Sequence, residues 1–147
     1  MKYLISACLV GENVKYDGKN NFHQVANQLY EKGLAVTVCP EVLGGLSTPR
    51  ISSEIVGDKV LSKAGIDVTK EFDLGAEIAL KTALKHNIKI AILQARSPSC
   101  GSKVIYDGTF SGNLIQGEGV TTRLLRQNGI KVITIEEYMS DYYETDF

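Results

Sequence analysis

Phe72-Asp73-Leu74-Gly75-Ala76-Glu77-Ile78-Ala79-Leu80-Lys81-Thr82-Ala83-Leu84-Lys85-His86-Asn87-Ile88-Lys89-Ile90-Ala91-Ile92-Leu93 carries two hydrophobic periods in succession. Phe72, Ala76, Ala79, Leu80, Ala83 and Leu84 recur at the spacing of one helical face. Thr69 or Asp73 is available as the cap of that helix. Beyond His86-Asn87 the pattern becomes the apolar run Ile88–Leu93, which reads as a buried strand. A helix that leads straight into a buried strand is the unit of a parallel sheet, because parallel strands need crossover connections.

The same unit recurs on both sides. Upstream, Phe22, Val25, Ala26, Leu29 and Tyr30 share a helical face, with Phe22 and Tyr30 expected in the core; Gly33 ends the helix and Leu34–Val38 follows as a strand. Downstream, a helix over about 119–128 stops at Gly129 and leads into Ile130–Ile135. Lys2–Ala7 is the first strand. Two hairpins are expected between these units: Lys103–Ser111 about an Asp107-Gly108 turn and, on a fainter signal, Glu54–Leu61 about Gly57-Asp58. Glu136–Phe147 reads as a short final helix or a solvated tail. The whole is expected to be one α/β domain over 1–147, a mainly parallel sheet flanked by helices with the hairpins at one end.

The 147 residues carry 16 Lys+Arg against 17 Asp+Glu, a formal net charge of -1, with 44% hydrophobic and 22% charged residues. That balance excludes long disorder and provides no basic stripe for a nucleic acid polymer. No apolar run reaches the roughly 18 residues of a membrane span, and the opening apolar stretch is too short for a signal peptide. Three cysteines, an odd number, do not form a disulfide framework. A reducing cytoplasm is the expected compartment.

Cys8 and Cys39 end the first two strands, and Cys100 follows the third by a few residues. Sites in open parallel sheets form at the carboxyl ends of strands, so the three thiols are expected to converge. Cys39-Pro40 through Pro49-Arg50 and Ser97-Pro98-Ser99-Cys100-Gly101 are framed by Pro and Gly, which fix a loop and let it approach a ligand. The competing reading is three small core hydrophobes. Converging thiolates suit a soft metal or an iron–sulfur cluster. Zinc would recruit a fourth ligand; His86 lies at the wrong end of its helix, and His23 on the first helix's opening turn is a poor substitute. Gly117-Glu118-Gly119 before a helix is a faint anion-binding signal.

Five segments occur in order: Ser6-Ala7-Cys8-Leu9-Val10-Gly11, Lys15-Tyr16-Asp17-Gly18, Cys39-Pro40-Glu41 through Pro49-Arg50, Ser97-Pro98-Ser99-Cys100-Gly101 and Tyr106-Asp107-Gly108-Thr109-Phe110. From about residue 3 to residue 135 the chain resembles the small bacterial domain-of-unknown-function family that includes the iron–sulfur-dependent 2-thiouracil desulfidases. The fold expected is a three-layer, Rossmann-like α/β sandwich. The resemblance implies a 4Fe-4S cluster held by Cys8, Cys39 and Cys100 with one open iron, Glu41 as acid/base and Ser97 as the assisting serine, Ser99 being the second choice. Many relatives have a cysteine where this chain has Val14. Some longer relatives also carry a second domain, which is not expected here.

Asp17, Arg50 and Ser99 are the further candidates for holding substrate. Arg50 offers a fork for a carbonyl or anion, against the alternative of a salt bridge that pins its loop. Asp17 precedes a glycine and serves turn chemistry equally well. Lys103 and Tyr106 belong to the hairpin surface, with one of them able to line a pocket. The activity implied is non-redox removal of sulfur from a thiolated pyrimidine such as 2-thiouracil, giving the oxo product and sulfide. The alternative is a non-catalytic small-ligand, metal or iron–sulfur/sulfide-binding protein. A metal-free cysteine nucleophile lacks a histidine partner. The expected partner is a small thiolated base, as a monomer or homodimer, with no membrane and no nucleic acid polymer.

Overall fold

A computed structural model describes residues 1–147. The elements are β1 (Tyr3–Ser6), a 3-10 turn (Ala7–Val10), α1 (Gln24–Glu31), β2 (Ala35–Val38), α2 (Pro40–Leu43), β3 (Ser53–Val56), β4 (Lys59–Ser62) and α3 (Thr69–Lys85). They continue with β5 (Ile90–Ile92), β6 (Val104–Tyr106), β7 (Leu114–Gln116), α4 (Val120–Gln127), β8 (Lys131–Ile133), α5 (Ile135–Asp141) and α6 (Tyr143–Asp146). The main sheet is parallel throughout, in the order β2-β1-β5-β8. Chain direction across the sheet reverses between β1 and β5, where such sheets open a crevice.

Alternation along β1 builds two cores. Tyr3 and Ile5 pack on one face with Ala26 and Leu29 of α1 and Tyr138 of α5. Leu4 packs on the other with Ala79 and Ala83 of α3 and Leu125 of α4. The result is the expected three-layer α/β sandwich with hairpins attached. No helix is long and apolar enough to cross a membrane.

Several expectations are corrected. Phe22 and Tyr30 are 55% and 48% exposed, because α1 starts only at Gln24 and buries just Ala26 and Leu29. Leu84 is likewise exposed. Neither Thr69 nor Asp73 caps α3: Thr69 Oγ1 accepts from Val60 N–H, and Asp67 Oδ1 accepts from Thr69 N–H, both at 2.9 Å. Gly57-Asp58 makes the tight two-residue turn, between β3 and β4. Asp107-Gly108 does not: β6 pairs instead with β7, and residues 107–113 form a longer loop with Gly108, Phe110 and Gly112 at positive φ.

Two devices fix the two ends of the fold, one beside the cysteines and one at the chain termini. Gly44 and Gly75 bring the backbones of α2 and α3 together; a Cβ on Gly44 would collide with the Glu71 carbonyl, and one on Gly75 with the Pro40 carbonyl. The final residues are fastened rather than free. Asp146 accepts hydrogen bonds from Lys2 Nζ (2.8 Å), Tyr3 Oη (2.6 Å) and Tyr138 Oη (2.7 Å), which ties α6 to β1.

Candidate active site

A cavity of about 430 Å³ opens beyond the carboxyl ends of β1, β2 and β5, within the size range of small-molecule sites. Cys8, Cys39 and Cys100 all line it, together with Glu41, Ser97 and Arg50. Cys8 lies in the 3-10 turn that prolongs β1, and Cys39 is the residue before α2. Cys100 closes the loop that leaves β5. All three are free thiols.

Burial pushes each of these thiols up, that of Cys100 to about 12. Cys8, Glu41 and Cys39 lie close enough to oppose further negative charge on Cys100. Three such sulfurs become thiolates together only beside a cationic centre. No three Cys, His, Asp or Glu side chains are close enough to share a single metal ion. A cubane places each ligand on its own corner iron, so its ligands stand further apart than those of one ion. Three thiol donors lining one cavity are a ligand set that suits a soft metal centre, iron–sulfur clusters among them. His23 is no fourth ligand: its Nδ1 accepts from Val25 N–H at 3.2 Å and caps α1.

Glu41 stands in the first turn of α2, its side chain 18% exposed. Burial raises its pKa, and the neighbouring Arg50 opposes that rise. Arg50 Nε donates to Glu41 Oε1 at 3.1 Å; Oε2 has no partner within the protein. Both other nitrogens of Arg50 are also engaged. Nη1 donates to the Ser47 carbonyl and Thr48 Oγ1, each at 3.0 Å, and Nη2 to the Val14 carbonyl at 2.8 Å. In this structure Arg50 pins the loop and orients Glu41, and one N–H of Nη2 has no partner within the protein.

Ser97 Oγ accepts from the N–H groups of Cys100 (2.6 Å) and Ser99 (3.2 Å). Its own hydroxyl proton stays available to a ligand. Ser99 is 1% exposed, does not line the cavity, and shares a 2.7 Å hydrogen bond with Thr121 Oγ1. Asp17 is also off the lining; it accepts from Lys19 N–H at 3.0 Å within its turn, while Lys15 and Tyr16 reach the cavity. Tyr106 lines the cavity and Lys103 does not. The glycines before α4 hold no open anion site, since the first amides of that helix donate to the carbonyls of the Cys100 loop.

A profile of the 2-thiouracil desulfurase family matches residues 3–137. The chain belongs to that family. It is 42% identical to the uncharacterized protein YbbK of Bacillus subtilis (strain 168), over 91% of this chain and 95% of that one. The solved structure of the [4Fe-4S]-dependent thiouracil desulfidase TudS (DUF523Vcz) superposes with a TM-score of 0.91 at 44% identity, covering 98% of this chain and 96% of its own.

Several lining residues carry no sequence signal of their own. Ser6 Oγ accepts from Gln94 N–H at 2.9 Å and joins the ends of β1 and β5. Arg96 lines the cavity from a backbone at φ 70°. The carboxylate of Glu54 accepts from the N–H groups of Gly108 (2.9 Å) and Phe110 (3.2 Å), which docks the β6–β7 loop beside the cavity. Asn21 reaches Cys8 from before α1.

Proposed function

We propose that this protein is an iron–sulfur-dependent, non-redox desulfidase that removes sulfur from a thiolated pyrimidine such as 2-thiouracil, giving the oxo product and sulfide. The observation that carries this reading is the meeting of three cysteines from three strand ends with Glu41 and Ser97 in one cavity, in a member of this family. Cys8, Cys39 and Cys100 would each ligate one iron of a 4Fe-4S cluster and leave the fourth without a protein ligand. When bound, the cluster supplies a Lewis-acidic iron that accepts the sulfur of a thiocarbonyl.

The chain's own groups supply the rest. Ser97 directs its free hydroxyl proton at the heterocycle or at the attacking water. Glu41 Oε2 takes a proton from that water as it adds to the carbon and returns it as sulfide leaves. One water is consumed for each thiocarbonyl, two protons depart with sulfide, and no electron is transferred. Arg50 holds Glu41 and thereby sets its direction.

The test is reconstitution without oxygen, followed by iron and sulfide counts and 2-thiouracil turnover. About four iron and four sulfide per chain are expected, lost when any of the three cysteines becomes alanine. Glu41→Ala should keep the iron and abolish turnover. A wild-type chain that takes up no iron under these conditions would overturn the cluster reading. One that holds the cluster and leaves a range of thiolated bases intact would make it a binding protein.

A further inference from the structure

Asn21 is tied to Cys8 twice. Its backbone N–H donates to the Cys8 carbonyl at 3.0 Å, and its Nδ2 donates to Cys8 Sγ at 3.5 Å. The first bond fixes the backbone, and the second aims the carboxamide at the sulfur. Asn21 also lines the cavity, so the bond lies at the surface where ligand and cofactor would meet.

A sulfur accepts hydrogen bonds more strongly as a thiolate than as a thiol, so the Asn21 donor suits a charged, metal-bound Cys8 sulfur. Cys39 and Cys100 are served differently. Cys39 Sγ lies instead against an acceptor, the Val14 carbonyl at 3.8 Å, and no side chain donates a hydrogen bond to Cys100 Sγ. Asn21 therefore provides a neutral side-chain donor for one sulfur of the three. Hydrogen bonds to ligating sulfurs draw electron density from the iron and are among the factors that set a cluster's potential.

We propose that Asn21 is a positioning residue for the cofactor, keeping its N–H···S bond when Cys8 ligates iron, raising the reduction potential and slowing the loss of iron. The inference rests on the cluster reading above. It gives that reading a mechanism for keeping the open iron electron-poor and hence receptive to sulfur.

The test uses the full chain as wild type, Asn21→Leu and Asn21→Ala, each reconstituted without oxygen. Leucine keeps the volume without the donor; alanine removes both and gives a second variant if leucine packs badly. Iron per chain is counted first, then the cluster is titrated potentiometrically and challenged with a chelator. In both variants the potential should move negative and the rate of iron loss should rise several-fold. Loaded variants with the wild-type potential would overturn the assignment to Asn21 and leave the cluster reading intact. A wild-type chain without iron would show at the first step that the cluster reading itself fails, and this inference with it.

Discussion

The loop of Cys39 and the loop of Cys100 bring the same kind of atom to one cavity by different supports. The first is carried by the four residues of α2, which press on α3 through Gly44 and Gly75 and are pinned by the charged fork of Arg50. The second is held by neutral groups. Gly119 N–H donates to Gly101 O and Val120 N–H to Pro98 O, both at 2.8 Å, and Thr121 N–H to Ser99 O at 2.9 Å. Thr122 Oγ1 adds a 2.9 Å bond to the Cys100 carbonyl. On the Cys39 loop, support and chemistry share residues, since the arginine that holds the backbone also orients Glu41. On the Cys100 loop they are mostly separate: Ser99 and the threonines hold without facing the cavity, while Ser97 alone both accepts the Ser99 and Cys100 amides and faces the cavity with Cys100. Changes in the first loop should alter reactivity and stability together, and changes at Ser99 and the threonines behind the second should act on stability alone.

Gly75→Ala should have the largest effect, since its Cβ would meet the Pro40 carbonyl with no flexible side chain to yield. A loss of at least about 3 kcal/mol is expected in urea unfolding. Iron uptake should fall as well, because α2 carries Cys39. Full uptake in the folded variant would mean that the Cys39 loop is not set by the helix contact.

Arg50→Ala comes next, at about 2–3 kcal/mol, because it strips a buried carboxylate and two carbonyls of their donor. Turnover should fall more steeply than iron content. Equal falls would erase the distinction between the loops.

Asp146→Asn is remote from both loops and serves as a control for plain stability, at about 1.5–2 kcal/mol near neutral pH. Burial works against the Asp146 carboxylate, but the bonds from Lys2, Tyr3 and Tyr138 outweigh it and hold its pKa below the ordinary value. Its contribution is therefore present above the unfolded pKa of 3.8 and is lost as pH falls through the lower folded value. Burial and the bond to Asp146 push Tyr3 up to about 12, so that contribution is complete below 10.0 and fades as pH rises towards 12. Unfolding midpoints across pH should narrow at both ends in wild type and less in the variant. Iron content should not change.

Thr122→Val should cost least, about 1 kcal/mol, for one neutral hydrogen bond. Turnover per cluster should match wild type. A change in turnover would show that support of the Cys100 loop is also chemical.

The layers and the strand ends were legible because hydrophobic period and helix-stop glycines are local signals. From them followed the convergence of Cys8, Cys39 and Cys100, since parallel strands end on one side. What stayed hidden depends on partners distant in sequence. Ser99 faces Thr121, which no spacing within its own loop reveals. Arg50 offers a fork on paper, yet four of its five N–H donors are taken by Val14, Glu41, Ser47 and Thr48. Asn21 lies in a stretch without period before α1, and its bond to sulfur exists only once the 3-10 turn places Cys8 beside it. The Asp107-Gly108 signal misled because the chain had room for a longer loop, with Glu54 waiting to accept its amides.

The hydrogen bonds converging on Asp146 place the first and last residues of the chain side by side, at the opposite end of β1 from the cysteines. The order in which the segments are threaded is therefore separable from the architecture they build. A short linker between Phe147 and Met1, with new ends cut at the exposed Gly57-Asp58 turn, would leave every strand neighbour where it is. Such a permuted chain would keep its cavity at the far pole, which makes the terminal clasp a natural attachment point for surfaces, tags or fused domains.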